Sequence, residues 1–183
     1  MDNGASSYRR YLSGDEAAFE QIVKDYYDPL TLFINSYVHD LAAAEDIAID
    51  TFSDLIVHKY RYNFRSSMKT YLFMIGRSRA LNYIKHRDHI QTVELESAEK
   101  DLPYSPSPEA KLSENDRKQA IHDGISQLDE PLREVVQLVY FEEMCCEDAA
   151  KVMRKTVKQV YNLLYRAKNA LRTILGEEGE RIV

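Results

Sequence analysis

The clearest helical pattern in this chain lies in residues 156–175, TVKQVYNLLYRAKNALRTIL. Thr156 and Gln159 have the spacing of a capping box, in which each residue satisfies a backbone N–H group of the other. Apolar residues then recur at alternating steps of three and four, the period of an amphipathic α-helix. They are Val157, Val160, Leu164, Ala167, Leu171 and Ile174.

The opposite face of this helix is polar and has the side chains that a major-groove recognition helix uses. Amide groups pair with adenine, a guanidinium pairs with guanine, and cations bind phosphates. A short helix predicted near residues 147–153 precedes it, and its Ala149 and Ala150 permit a close helix crossing, as in a helix-turn-helix. A packing helix with a polar outer face is the alternative. The polar face contains Lys158, Tyr161, Asn162, Tyr165 and Asn169, with Gln159 and Arg166 at its margins.

Helical patterns also account for the rest of the chain, whose 183 residues include only 6 Gly and 5 Pro. Ser13-Gly-Asp-Glu16 predicts a capping box and a long helix from about Gly14, followed by helices at about 42–59 and 67–87. A polar, proline-interrupted segment follows, and helical spacing then resumes near Ala120 and again after Pro131. We therefore predict an all-α fold of two small helical domains, residues 8–89 and 112–176, joined by a flexible linker, residues 90–111.

Charge is sorted along the chain, although its 30 Asp and Glu against 24 Lys and Arg give a net charge of -6. Residues 15–58 contain Lys24 as their single Lys or Arg, whereas residues 59–87 and 151–175 contain no acid. Two basic surfaces, each interleaved with aromatic or amide groups, indicate nucleic-acid binding. Because the whole molecule is acidic, we expect weak DNA binding by the chain alone and the need for a partner.

In the basic half of the first domain, Tyr60, Tyr62 and Phe64 alternate with polar residues. Aromatic and cationic groups interleaved on a loop suit unstacked single-stranded bases, each stacked base contributing about 1 to 3 kcal/mol. One or two of the aromatic residues could instead belong to the core. The candidate DNA contacts in this half are Tyr62, Asn63, Phe64, Arg65, Lys69, Tyr71, Arg77, Arg79 and Asn82.

Other functional classes lack support in the sequence. No run approaches the roughly 18 apolar residues of a transmembrane helix, and the polar N-terminus lacks the apolar core of a secretory signal. We therefore expect a cytoplasmic protein. Cys145 and Cys146 are adjacent, so they neither close a loop nor supply zinc-ligand spacing, and we assign them no function. The chain has no Gly-rich phosphate loop and no G-x-S-x-G elbow, and we expect no metal and no cofactor.

Several motifs together resemble a known family. AEDIAIDTF at 44–52, TYLFMIGR at 70–77 and ALNYI at 80–84 resemble region 2 of sigma-70 family factors. REVV at 133–136, EDAA at 147–150 and LYRAK at 164–168 resemble region 4. Two such regions joined by a short linker are similar to the extracytoplasmic-function (ECF) group.

The resemblance implies a transcription initiation factor that binds core RNA polymerase, directs it to specific promoters and promotes open-complex formation, without catalysing a reaction itself. Region 2 would dock on the coiled coil of the beta-prime clamp, region 4 would meet the beta flap, and an anti-sigma factor could hold the chain at the membrane. The implied polymerase contacts are Asp46, Asp50, Phe52, Leu55 and Ile56. The implied minus-ten contacts are the loop from Tyr62 to Arg65 and the helix after it. The implied minus-35 contacts are Lys158, Gln159, Tyr161, Asn162, Tyr165 and Arg166, and Lys155 in the preceding turn is a further candidate DNA contact.

The sequence departs from the family pattern at three positions that bear on promoter choice. The turn before the recognition helix usually contains glycine but reads Met153-Arg-Lys155 here. Ser78 stands where asparagine is common, and Tyr161 stands where a basic residue is common. The promoter sequence is therefore not implied by the resemblance.

Two alternatives stay open at this point. A stand-alone helix-turn-helix repressor predicts tight, salt-sensitive duplex binding to a palindromic site. An all-helical metal-dependent phosphohydrolase would use His39 and Asp40 with the carboxylates at 45, 46, 50 and 54, but it needs several imidazoles that converge on one cavity. The five histidines are scattered along the sequence.

Overall fold

The computed structural model describes residues 3–94 and 123–175. In these residues the chain forms helices and no β-strand, which confirms the all-α prediction. The first unit contains α1 (Asn3–Leu12), α2 (Glu16–Val38), α3 (Leu41–Val57) and α4 (Met68–Glu94). The second unit contains a helical turn at 123–126, α5 (Glu130–Val136), a π-helical segment (Gln137–Phe141), α6 (Cys146–Met153) and α7 (Val157–Leu175).

The start of α2 differs from the sequence prediction. The cap is Asp15, whose carboxylate accepts a hydrogen bond from the backbone N–H of Ala18 at 3.3 Å. Ser13 instead donates to the carbonyl of Arg9 at 3.0 Å, at the end of α1. The helix α1 itself was not predicted, although Tyr8, Tyr11 and Leu12 have helical spacing. The missed helix places a buried tyrosine in the core of the first unit.

The helices of the first unit pack around α2, which contacts α1, α3 and α4. Gly76 lies where α4 crosses α2: a Cβ atom at this position would come within 2.9 Å of Leu30 Cδ1 and 3.2 Å of Ile34 Cδ1. Glycine therefore lets the two helices approach closely. The helix α2 continues through Pro29.

Most of the predicted linker, residues 90–111, lies outside the described residues. The helix α4 continues to Glu94, so residues 90–94 of the predicted linker are helical. Residues 95–111, and the predicted helical residues 112–122, lie outside the described residues.

The two units contact each other, which the sequence did not predict. The helix α4 of the first unit packs against α6 of the second. The buried apolar side chains of both units belong to one continuous cluster. This contact decides which of the predicted basic residues are available at the surface.

Candidate nucleic-acid interfaces

The exposed face of α7 has the geometry that the sequence predicted. The N–H of Thr156 donates to Gln159 Oε1 at 2.8 Å, and the N–H of Gln159 donates to Thr156 Oγ1 at 3.2 Å, which completes the capping box. Val160, Leu164, Ala167 and Leu171 are buried beneath the helix, whereas Ile174 is exposed. Lys155 is half-buried in the preceding turn. Six predicted contacts are exposed along one side: Lys158, Gln159, Tyr161, Asn162, Tyr165 and Arg166.

The turn between α6 and α7 explains how the chain manages without the usual glycine. Arg154 itself adopts the left-handed conformation, with φ 53°. The N–H of Lys155 donates to the carbonyl of Ala150 at 2.9 Å and so satisfies the end of α6. The short turn places α7 directly after α6, the order of a helix-turn-helix.

Two side chains on this face are already engaged within the protein. The side-chain oxygen Oε1 of Gln159 also accepts a hydrogen bond from the hydroxyl of Thr156 at 3.1 Å. The NH₂ group of the Gln159 side chain therefore points away from the cap. A hydrogen bond with the Cys146 side chain, more than any other influence, raises the pKa of Tyr161. Cys146 therefore borders the exposed face of α7.

The aromatic residues of the loop between α3 and α4 differ in exposure, and Tyr62 is the buried one. Tyr62 is only 2% exposed, and its hydroxyl donates to the carbonyl of Ser66 at 2.7 Å. Its ring lies 4.6 Å from the ring of Phe64 and 4.9 Å from that of Tyr71, measured between centroids. Tyr62 is thus a core residue here, because its faces are covered by other rings. In this structure its ring is not exposed to stack on a base.

Phe64 holds an unusual position at the edge of this cluster. It is half-buried and has a left-handed backbone, with φ 60°, which is rare for a bulky side chain. The guanidinium of Arg9 lies 4.8 Å from the centre of its ring. Strained backbone of this kind is concentrated at functional sites, so the geometry is compatible with a ring held ready for a ligand.

The most exposed aromatic residue of this loop was missing from the predicted contacts. Tyr60 is 86% exposed, and Asn63 and Arg65 are also exposed. Asn63 Oδ1 accepts a hydrogen bond from the N–H of Arg65 at 3.1 Å, which shapes the turn. The alternation of aromatic and polar residues signalled Tyr60, but it gave no means of telling an exposed ring from a buried one.

The predicted basic contacts on α4 are largely engaged in ion pairs. Arg79 lies 3.6 Å from a carboxylate oxygen of Asp50 and 3.5 Å from one of Asp54, both on α3. Arg77 and Lys69 pair with acids of the second unit. Tyr71 is half-buried, and burial raises its pKa, whereas Asn82 is exposed.

The predicted polymerase contacts on α3 divide between surface and core. Asp46, Asp50 and Ile56 are exposed, while Phe52 and Leu55 are buried at 5% and 2% exposure. Phe52 and Leu55 therefore support the helix from beneath and are not exposed on its outer surface. Ile49 and Val57 are exposed on the same helix and were not predicted.

The described residues lack both membrane-spanning helices and clustered metal-ligand side chains. None of the helices within 3–94 and 123–175 is long and apolar enough to cross a bilayer. Across those two ranges, no three His, Cys, Asp or Glu side chains come together as metal ligands would.

Comparison with known proteins assigns both units. Residues 22–90 match the family model of Sigma-70 region 2, and residues 118–171 match that of Sigma-70, region 4. The chain is 30% identical over 177 residues to the RNA polymerase sigma-H factor of Pseudomonas aeruginosa, with 88% of each chain covered. It is 23% identical over 158 residues to the ECF RNA polymerase sigma factor SigM of Bacillus subtilis, covering 85% of this chain and 93% of that one.

A solved structure shares the fold. The sigma factor RpoE of Bartonella quintana, in complex with the anti-sigma factor NepR, aligns with a TM-score of 0.66 and 22% identity over 87% of this chain and 97% of that one. The family matches, and not the shared fold, favour a sigma factor over the repressor and phosphohydrolase alternatives. The chain belongs to the sigma-70 family, in its extracytoplasmic-function group, and is a non-enzymatic factor that directs RNA polymerase to specific promoters to initiate transcription.

Proposed function

We propose that the two units divide promoter recognition: α7 reads the upstream, minus-35 element as a duplex, and the loop between α3 and α4 captures bases of the melted minus-ten element. The observation that carries this proposal is the row of six polar side chains exposed along α7, directly after a capped turn. Such a row fits the major groove, which displays a distinct pattern of donors and acceptors for each base pair.

On α7, Asn162 and Arg166 lie one turn apart on the exposed face. An amide pairs with adenine and a guanidinium with guanine, and each such pair contributes about 1 to 3 kcal/mol of discrimination. Sequencing the transcripts that reconstituted holoenzyme makes on genomic DNA identifies a promoter for the test. On that promoter, Asn162→Ala with Arg166→Ala should lower transcription about tenfold or more. Thr173→Ala, exposed near the end of the same helix, is the control. Transcription at the control level in the double variant rejects this assignment.

In the minus-ten loop, Asn63 and Arg65 are exposed, Phe64 is partly accessible, and Tyr60 adds an exposed ring. Capturing unstacked bases would hold a short bubble open, since opening a base pair costs a few kcal/mol and stacking recovers much of it. Asn63→Ala with Phe64→Ala should therefore impair formation of the open complex, which an abortive-transcription assay measures. Binding to core polymerase should be unchanged. Loss of core binding would mean that these residues are structural.

On α3, the exposed Asp46, Asp50 and Ile56, extended by Ile49 and Val57, form an acidic and apolar surface. We assign this surface to the coiled coil of the beta-prime clamp, since an acidic helix complements a basic partner. Asp50→Arg should weaken association with core polymerase about tenfold or more, because like charges across an interface cost several kcal/mol. Glu20→Arg, the same reversal at an exposed position of α2, is the control. Equal affinities for the two variants reject the assignment.

Two further partners and a compartment follow from this role. The second unit would contact the beta flap, and an anti-sigma factor would sequester the chain, as NepR is bound in the structure of its relative. A chain that acts on polymerase and promoter DNA works in the cytoplasm, and an anti-sigma factor could hold it at the membrane. Co-migration with bacterial core enzyme in size-exclusion chromatography tests the central part of this scheme.

A further inference from the structure

Two cations that the sequence predicts to contact DNA are bound by acids of the second unit. Arg77 on α4 donates to both carboxylate oxygens of Glu134 on α5, at 2.6 and 3.2 Å. Lys69 lies 2.7 Å from a carboxylate oxygen of Glu142 and donates to its backbone carbonyl, also at 2.7 Å. These pairs join parts of the chain that are 57 and 73 residues apart.

Both acids are buried, so these pairs differ from ordinary surface ion pairs. Glu134 is 3% exposed and Glu142 is 8% exposed. Burial by itself lowers the pKa of Arg77, but the hydrogen bond and the charge of Glu134 outweigh it, and the pKa is raised. Removing one member of such a pair leaves the other charged and buried, which is strongly unfavourable. The two ion pairs and the apolar contact of α4 with α6 therefore favour the same closed arrangement, in which the two units are in contact.

Carboxylates and phosphates are recognised by the same donors. A guanidinium forms paired hydrogen bonds with either anion, and an ammonium binds either as a point charge. In this arrangement Lys69 and Arg77 cannot meet a DNA phosphate without first leaving Glu142 and Glu134. The recognition face of α7 remains exposed in the same structure.

We propose that Glu134 and Glu142 take the place of DNA phosphates and hold the free chain in a closed form, which withholds Lys69 and Arg77 from the melted strand until the two units separate. This inference rests on the proposed function and extends minus-ten binding from the loop to α4, the helix that follows it. In the closed form, the second unit competes with DNA for Lys69 and Arg77 of the first unit. Minus-35 recognition by α7 stays unobstructed.

The separation of the units can be measured directly. Spin labels at the exposed Cys145 and at Ser53→Cys on α3, in a Cys146→Ser background, report the distance between the units by double electron–electron resonance. Glu134→Gln with Glu142→Gln should shift and broaden the distance distribution of the free chain. Glu130→Gln with Glu143→Gln makes the same change of charge at exposed positions of the second unit and should leave the distribution as in the wild type.

Binding of a labelled single strand of randomised sequence, about 20 nucleotides long, tests the competition, because phosphate contacts are independent of sequence. The slope of log affinity against log salt should stay close to that of the wild type, because the open chain makes the same phosphate contacts in both proteins. Affinity at low salt should rise about tenfold, as the fraction of binding-competent chain increases. The exposed-site control should match the wild type in both quantities.

A charge swap between Arg77 and Glu134 tests the closed form even if the double glutamine variant unfolds. Arg77→Glu and Glu134→Arg should each alter the distance distribution, and the two together should restore it. The closed form is rejected if the glutamine variant remains folded by circular dichroism yet matches its control, or if the swap restores nothing. Promoter-specific transcription by wild-type holoenzyme is scored separately: its absence refutes the proposed function, whereas the distance measurement reports on the closed form alone.

Discussion

A single buried hydroxyl group connects the N-terminal helix to the proposed minus-ten loop. Tyr8 on α1 is fully buried, and its hydroxyl lies 3.1 Å from the carbonyl oxygen of Leu55 and 2.8 Å from that of Lys59. Both carbonyls lie where α3 ends and the loop begins. Burial is the main cause that raises the pKa of Tyr8 to about 12, so the hydroxyl stays protonated and keeps donating at physiological pH.

We expect Tyr8→Phe to lower the free energy of unfolding by about 1 kcal/mol, because it removes the donor while keeping the ring. Urea denaturation followed by circular dichroism measures the change. Tyr11→Phe removes a hydroxyl from the same helix and is the matched control. If the two variants are equally stable, the hydroxyl of Tyr8 contributes nothing beyond the packing of its ring.

His39 makes stability depend on pH in a direction that can be stated. Burial first, and then the positive charges of Arg133 and Arg87, lower the pKa of His39 from its ordinary value of 6.5. The unfolded chain therefore binds more protons than the folded chain as pH falls below this value, and stability is lost in that direction.

We expect the free energy of unfolding to decrease between about pH 7.5 and about pH 6, and the decrease to be smaller in His39→Asn. Asparagine tolerates the left-handed conformation that His39 adopts, with φ 54°. His86→Asn, at an exposed position on α4, should retain the wild-type pH dependence. The urea midpoints of the three proteins, measured at both pH values, provide the test. An equal change of midpoint between the two pH values in all three proteins contradicts the expectation.

At the scale of elements, the crossing of α2 and α4 depends on a glycine. A Cβ atom on Gly76 would come within 2.9 Å of Leu30 and 3.2 Å of Ile34, both fully buried. Gly76→Val should therefore destabilise the chain by about 2 kcal/mol, since overpacking costs about 1 to 3 kcal/mol and outweighs the better helix propensity of valine.

Thermal unfolding followed by circular dichroism measures this effect. Lys85→Val, at an exposed position of the same helix, controls for the intrinsic cost of a β-branched residue. A melting temperature of Gly76→Val that equals that of the control would show that the crossing can widen without loss.

Helices with strong local signals were predictable from sequence. Thr156 with Gln159 places the start of α7 where the structure has it, because capping depends on neighbouring residues. Periodicity also identified the exposed face of α7. It could not assign Tyr62 to the core, since in a loop the side chain has no fixed period that relates sequence to burial.

Contacts between distant residues were beyond the reach of those signals. A basic residue such as Arg77 has the same local pattern whether it faces solvent, DNA or a buried carboxylate. Its partner Glu134 lies within a motif that resembles region 4 as a whole, and no local pattern marks it as a partner of Arg77. The sequence therefore predicted two separate units and missed the ion pairs between them.

At the scale of the whole molecule, the contact between the units predicts how the chain unfolds. Two units that share one apolar cluster and two buried ion pairs stabilise each other, so neither should unfold while the other stays native. Differential scanning calorimetry of the free wild-type chain should show one transition, with equal calorimetric and van't Hoff enthalpies.

Glu134→Gln with Glu142→Gln should separate this transition into two, because each unit keeps its own core after the contact is lost. The exposed-site variant Glu130→Gln with Glu143→Gln should keep the single transition. Two transitions already present in the wild type would mean that the units fold independently and that their contact adds little free energy. A single transition that persists in the glutamine variant would mean that apolar packing between α4 and α6 suffices without the buried charges, since coupling between the units then survives the loss of both ion pairs.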